Sequence, residues 1–184
     1  MQPENKPVPA TKTRAWTLPT VLGLIIGVVG AVGVIELRPQ LGVSPQEPIE
    51  KLKPFSTPFG ITNTGYLSFF VEHVYCYVHQ LSAEHRNLSP NVLHFNDWDD
   101  VNLDRGDGGT IICDFFPVAP PKVVADIVII IDYKPFRQFP VSFRKYFRFK
   151  GAYVDNWQWI REPSTGIEAQ IDNDVARIIT GHSN

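Results

Sequence analysis

Little in this chain announces chemistry. None of Ser56, Ser68, Ser82, Ser89 or Ser142 stands in a G-x-S-x-G context, and no Cys-His spacing suggests a thiol nucleophile with its base. Nucleotide-binding motifs and internal repeats are missing as well, and nothing calls for a cofactor. Acidic residues are absent from residues 134–150, and charge of either sign is absent from residues 16–35. The formal net charge is -2, and the part beyond residue 35 is more acidic than the whole, which argues against indiscriminate nucleic-acid binding.

The charge-free run at 16–35 is the most informative of these absences. At about 1.5 Å per residue, some 20 residues span a hydrocarbon core of roughly 30 Å, and a segment inside it must satisfy its own backbone, which favours a helix. Lys6, Lys12 and Arg14 precede the run, whereas only Arg38 follows closely and is offset by Glu36. The positive-inside rule then places the N-terminus in the cytoplasm and residues 36–184 on the periplasmic or extracellular side of a cytoplasmic membrane, crossed once. A cleaved signal peptide competes with this reading, since Gly30-Ala31-Val32-Gly33 supplies small residues, although the run exceeds the usual h-region of about 7 to 15 residues. Gly23 and Gly27 form a G-x-x-x-G face through which the helix could pair with itself or with a partner subunit; glycine is also simply frequent in membrane helices.

Five segments follow. Residues 1–15 read as a polar cytoplasmic tail, 16–35 as the transmembrane helix, and 36–54, with prolines at 39, 45, 48 and 54, as a stalk. Residues 55–163 read as the folded domain, and 164–184, with few apolar positions, as a flexible or weakly docked tail. Within 55–163, short alternating or clustered apolar runs rich in β-branched and aromatic residues predict strands near 55–63, 70–81, 92–95, 110–116, 125–133, 143–153 and 156–161. Prolines and β-branched runs interrupt every window for a helix of ordinary length. The predicted architecture is mainly β, an antiparallel sandwich of two sheets.

Phe59-Gly60-Ile61-Thr62-Asn63-Thr64-Gly65, an apolar strand closing with N-x-G, and the long run Asp126-Ile127-Val128-Ile129-Ile130-Ile131-Asp132-Tyr133 resemble the bacterial immunoglobulin-like and CARDB-like adhesion domains. That resemblance implies an immunoglobulin-like sandwich that binds or spaces, with no catalytic residues to carry over.

Alternation assigns faces. Val74, Cys76 and Val78 should point to the core, with His73, Tyr75, Tyr77 and His79 opposite, and Ile111, Cys113 and Phe115 should share an inward face. In an oxidising compartment, Cys76 and Cys113 are candidates for a disulfide; as reduced thiols they would serve as small buried hydrophobes. Asp100-Val101-Asn102-Leu103-Asp104-Arg105-Gly106 starts like a calcium loop but places its glycine late and Ile111 where a bidentate acid is needed, so it reads as a solvated turn. His73, His79, His85 and His94 lack the spacing of a metal site. Arg144, Tyr146, Arg148 and Lys150 alternate with Phe143, Phe147 and Phe149, giving one strand a basic outer face suited to phosphate, lipid headgroups or an acidic protein. Trp157 and Trp159 share a face and are assigned to the core.

The function expected is that of a membrane-anchored extracytoplasmic β-sandwich serving as a protein-interaction or structural module. Its partners would be the bilayer and a protein, or a second copy, reached through the helix or the basic strand. An accessory subunit of a larger membrane complex is the alternative, and an envelope hydrolase whose triad is assembled only by the fold is a weaker one.

Overall fold

From Val123 to Tyr133 the chain is apolar apart from Asp126 and Asp132, and its isoleucines and valines suit a strand covered on both faces. The computed structural model describes residues 40–50, 53–83, 86–88, 92–96, 98, 100–115, 123–153 and 157–181. The polar segment 1–15 and the apolar run with Gly23 and Gly27 lie outside the described residues. In chain order the strands are β1 Leu41–Pro45, β2 Pro58–Asn63, β3 Phe69–Ala83, β4 Arg86–Leu88, β5 Val92–Asn96, β6 Val101–Leu103, β7 Gly108–Ile112, β8 Val123–Lys134, β9 Phe143–Tyr153 and β10 Trp157–Glu162. Helix α1, Glu168–Thr180, follows.

The strands form two antiparallel sheets. The smaller has the order β1-β2-β7, and the larger has the order β10-β9-β8-β3 with β4, β5 and β6 along the far edge of β3. Strand β3 is 15 residues long. Its ladder to β8 shifts register between Val71 and His73 and again between Val78 and Gln80. The partner on its other edge changes at the same places: β6 faces Phe69 to Val71, β5 faces Val74 to Val78, and β4 faces Leu81 to Ala83. Each shift also resets the alternation, so that Phe69, Val71, Val74, Cys76, Val78 and Leu81 all reach the same core despite their changing parity.

That core lies between the sheets. Leu41, Val43, Phe59, Ile61 and Ile111 meet Val74, Cys76, Val78, Ile127, Ile129, Ile131, Phe147 and Phe149 there. Phe59 sits 5.1 Å from the Phe149 ring and 5.7 Å from that of Trp159, in inclined contacts favourable to aromatic pairs. Trp159 is buried as predicted; the side chain of Trp157 is outside the described part. Cys76 and Cys113 are both fully buried and bonded to each other, with Cα atoms 5.7 Å apart, so that β3 of the large sheet is joined to the residue just beyond β7 of the small one.

Two expectations are corrected. The segment 36–54 is not merely a stalk, because Leu41–Pro45 pairs with β2 along its whole length. Its proline is tolerated since β1 is an edge strand and Pro45 is its last residue. Nor is the C-terminal segment flexible or weakly docked over 168–180, where a helix packs on the large sheet. Ile167, Ile171, Val175 and Ile178 recur at spacings of four, four and three, one narrow stripe, and α1 ends on Gly181 at φ 69°, the left-handed conformation that glycine adopts without strain. The stripe covers the second face of the large sheet, where Tyr75, Tyr77, Val128 and Ile130 form a separate apolar cluster. Tyr75 and Tyr77 therefore point away from the inter-sheet core, as alternation requires, yet are buried. A sandwich alone would leave them wet.

The disulfide closes a loop of 37 residues and should stabilise the fold by about 2 to 4 kcal/mol. Replacing Cys76 and Cys113 together with Ala should lower the urea midpoint and steepen the slope, because the unfolded chain loses its cross-link and expands; an unchanged midpoint would show that the bond contributes nothing.

Candidate interaction surface

The basic face predicted on β9 is committed within the molecule. Asp132 stands opposite Arg144 across the β8–β9 ladder, and the Arg144 guanidinium grips it with two bonds, Nε to Oδ1 at 2.6 Å and Nη2 to Oδ2 at 2.7 Å. Its remaining arm, Nη1, donates to Asp172 of α1 at 2.8 Å, and the Tyr146 hydroxyl donates to the same Asp172 oxygen at 2.6 Å. Arg148 forks onto Asp126, whose side chain is only 4% exposed. Of the four predicted residues only Lys150 is exposed. The physical reason is α1: with a helix laid over this face, its cations were enclosed and met the acids that β8 and α1 supply.

These groups titrate accordingly. Asp132 first and Asp172 second hold the Arg144 proton more tightly than usual, against the effect of burial. Burial, and then hydrogen bonding to Asp174, pushes the Tyr77 phenol upward; burial, and then Asp172, does the same to Tyr146. Tyr77 donates to Asp174 Oδ2 at 2.8 Å, and Arg177 pairs with the other oxygen of that buried carboxylate. All the described polar anchors of α1 on the sheet therefore run from tyrosine or arginine to an aspartate of the helix.

The other sequence candidates disperse. Asp100 pairs with Arg137, and Asp104 to Asp107 form a turn in which Gly106 takes φ 83°, so the calcium-like segment is a capped loop. No group of three potential metal ligands occurs among the described residues, and His85 is outside them. Ser142 does meet a carboxylate and a lysine, donating to Glu72, which also binds Lys134. Burial raises the Glu72 pKa, but the hydrogen bonds from Lys134 and Ser142 outweigh it and the net shift is downward. A carboxylate so held is a poor general base near neutrality, and this trio acts as a clamp between β3 and the β8–β9 turn.

What the fold adds is an edge. Strand β9 pairs with β8 from Phe143 to Ala152 but with β10 only from Arg148 to Tyr153. Pro163, directly after β10, lacks the N–H that would continue the ladder. Among the described residues, the outer backbone groups of 143–147 consequently have no strand beside them. A cleft of about 320 Å³ lies along this edge, lined by Leu41, Arg144, Lys145, Tyr146, Phe147, Arg161 and Glu168. Arg161 sits over the Phe147 ring at 5.2 Å and Lys145 over Tyr133 at 5.9 Å, and neither meets a carboxylate among the described residues. Burial, and then the charge of Arg161, lowers the Lys145 pKa.

Next to the edge, the turn between β8 and β9 exposes apolar surface: Phe136 is 54%, Val141 55% and Phe143 43% accessible. Phe139 links the two phenylalanines, 5.1 Å from Phe136 and stacked 6.0 Å from Phe143. Lys145 and Arg161 were missed in the sequence, although a signal exists: Lys145 falls at the inward parity of Phe143, Phe147 and Phe149, where a charge belongs only at a sheet rim.

No protein-family model matches the chain, and no curated protein matches it. No helix among the described residues is long and apolar enough to cross a membrane.

The tyrosine anchors give a pH prediction. Their folded-state pKa values lie above the unfolded phenol value of about 10, so the stability they contribute is full below that pH and is lost as pH rises through the folded values. Tyr77→Phe should cost about 1 to 3 kcal/mol at neutral pH, since it strips a hydrogen bond from a buried carboxylate, and should flatten the alkaline limb of the stability profile. Denaturant titrations of both proteins between pH 7 and pH 11 measure this; a variant with wild-type stability would remove Asp174 from any role in docking α1.

Proposed function

We propose that the chain is a single-pass membrane protein presenting an immunoglobulin-like sandwich outside the cytoplasm, where it binds another protein. The exposed aromatic turn carries this reading. Phe136, Phe139 and Phe143 form a run of ring contacts beside an open sheet edge, with Val141 exposed in the same turn, and exposed apolar surface of this kind is a hallmark of protein contact sites. The buried disulfide suits an oxidising compartment, and the Lys12 and Arg14 charges ahead of the apolar run orient the remainder toward one. The resemblance to bacterial immunoglobulin-like and CARDB-like domains points the same way.

An accessory subunit of a membrane complex is a second reading, favoured by the Gly23 and Gly27 spacing. The two differ in the anchor: an unrelated transmembrane helix should preserve an interaction made by the sandwich and release one made by the glycine face.

Two measurements test the proposal. A reporter active only outside the cytoplasm should work when fused after Asn184, and activity of a cytoplasm-only reporter there would reverse the orientation. A photo-crosslinking amino acid at Phe136 should give an adduct with a second protein in intact cells, whereas the same probe at exposed Asp104 should not. Absence of an adduct at Phe136 would remove the aromatic turn as a contact site.

A further inference from the structure

We infer that the outer edge of β9 at residues 143–147 accepts an extended segment of a partner protein as an added strand, whose acidic side chains at alternate positions meet Lys145 and Arg161. The inference rests on the proposed interaction role and gives the partner a chemistry. Five residues of open ladder offer about 17 Å of backbone, in line with β10, and the cleft beside them provides the room. The side chains bordering that line are sorted by face. Lys145 and Arg161 project on the side of the small sheet, with Phe147 and Leu41 as apolar neighbours, and no described carboxylate answers them. On the opposite side Arg144 is already held by Asp132 and Asp172, and Glu168 accepts from Ser164, so a further acid would be repelled there. An incoming strand should therefore be acidic at positions of one parity and uncharged at the other.

A second copy of the chain fits this edge poorly. In a two-fold antiparallel pairing of residues 143–147, Lys145 would stand directly opposite its own copy, and like charges at facing positions are destabilising. Lys145 thus discourages self-pairing while favouring an acidic strand, the two halves of a specificity device.

The test uses the full chain in mild detergent and a capped, fluorescent peptide of sequence Thr-Val-Glu-Val-Glu-Val-Thr. Hydrogen exchange should slow at the amides of 143–147 when this peptide binds. Its affinity, read by anisotropy, should fall about fivefold when both glutamates become glutamine, the scale expected for one or two exposed cross-strand charge pairs. The variant Lys145→Glu with Arg161→Glu should reverse the preference and bind a peptide of sequence Thr-Val-Lys-Val-Lys-Val-Thr more tightly than the glutamate peptide; that gain keeps the test valid even if the variant is less stable. Equal binding by a peptide with alternate backbone amides methylated would reduce the effect to charge attraction and overturn strand addition. So would protection at 143–147 that appears without peptide and grows with protein concentration, which would make the occupant a second copy. If the Phe136 adduct forms while the peptide leaves 143–147 unprotected, the strand-addition inference fails and the interaction role stands; if the adduct is absent, the aromatic turn that carries that role is removed as a contact site.

Discussion

The constraint on which this structure depends is the enclosure of one strand pair on both sides. Ile127, Val128, Ile129, Ile130 and Ile131 are all without solvent contact, so neither face of β8 can be left to water. At roughly 25 cal/mol per Å² of apolar surface, exposing either face would cost several kcal/mol, a large share of the stability of a domain this size. The small sheet covers one side and α1 the other. The helix is thus the second cover that a two-faced apolar strand demands, and its own modest stripe of four apolar residues suffices because β8 and β3 supply the rest of the cluster.

Covering that second face enclosed charges as well. Asp126, Asp132 and Asp174 are buried, and each is answered by arginine, with tyrosine added at Asp174. Such pairs contribute little net stability compared with apolar replacements, but removing one member leaves a buried charge uncompensated. The bonds that do cross to α1, from Arg144 and Tyr146 to Asp172 and from Tyr77 to Asp174, select one position of the helix along the sheet, since a shift by one turn, about 5.4 Å, would put those carboxylates out of reach. Apolar burial accounts for the presence of the helix here, and the tyrosine and arginine bonds to Asp172 and Asp174 account for its register.

An open sheet must end somewhere. On the β3 side three short strands succeed one another, while on the β9 side β10 stops at Glu162 and the chain turns toward α1. The same turn that brings α1 onto the sheet therefore leaves the first residues of β9 with no strand on their outer side among the described residues. The candidate surface is a consequence of how the second face was covered, and it lies beside the exposed phenylalanines of the β8–β9 turn for the same topological reason.

Legibility in the sequence divided along the range of the forces involved. Period-two alternation and β-branched runs located β2, β3, β5, β7, β8, β9 and β10, and placed Cys76 and Cys113 among inward neighbours, because the pleat alone dictates which residues share a face. The short strands β1, β4 and β6 were missed, since their few residues carry no long run of alternating apolar side chains and become strands only where a partner offers its edge. Helix α1 was missed because its apolar stripe is too thin to be stable alone, and the face it covers belongs to residues 75 to 130, far away in the chain. For the same reason the basic strand was misread: nothing near Arg144 or Arg148 in sequence reveals that Asp126, Asp132 and Asp172 will enclose them. What the sequence by itself determined was the strand grammar, the inward cysteines and the charge-free run at 16–35. Only the tertiary structure decided which faces were dry, which cations were answered and which edge stayed open, because those depend on contacts between segments whose separation along the chain carries no local signal.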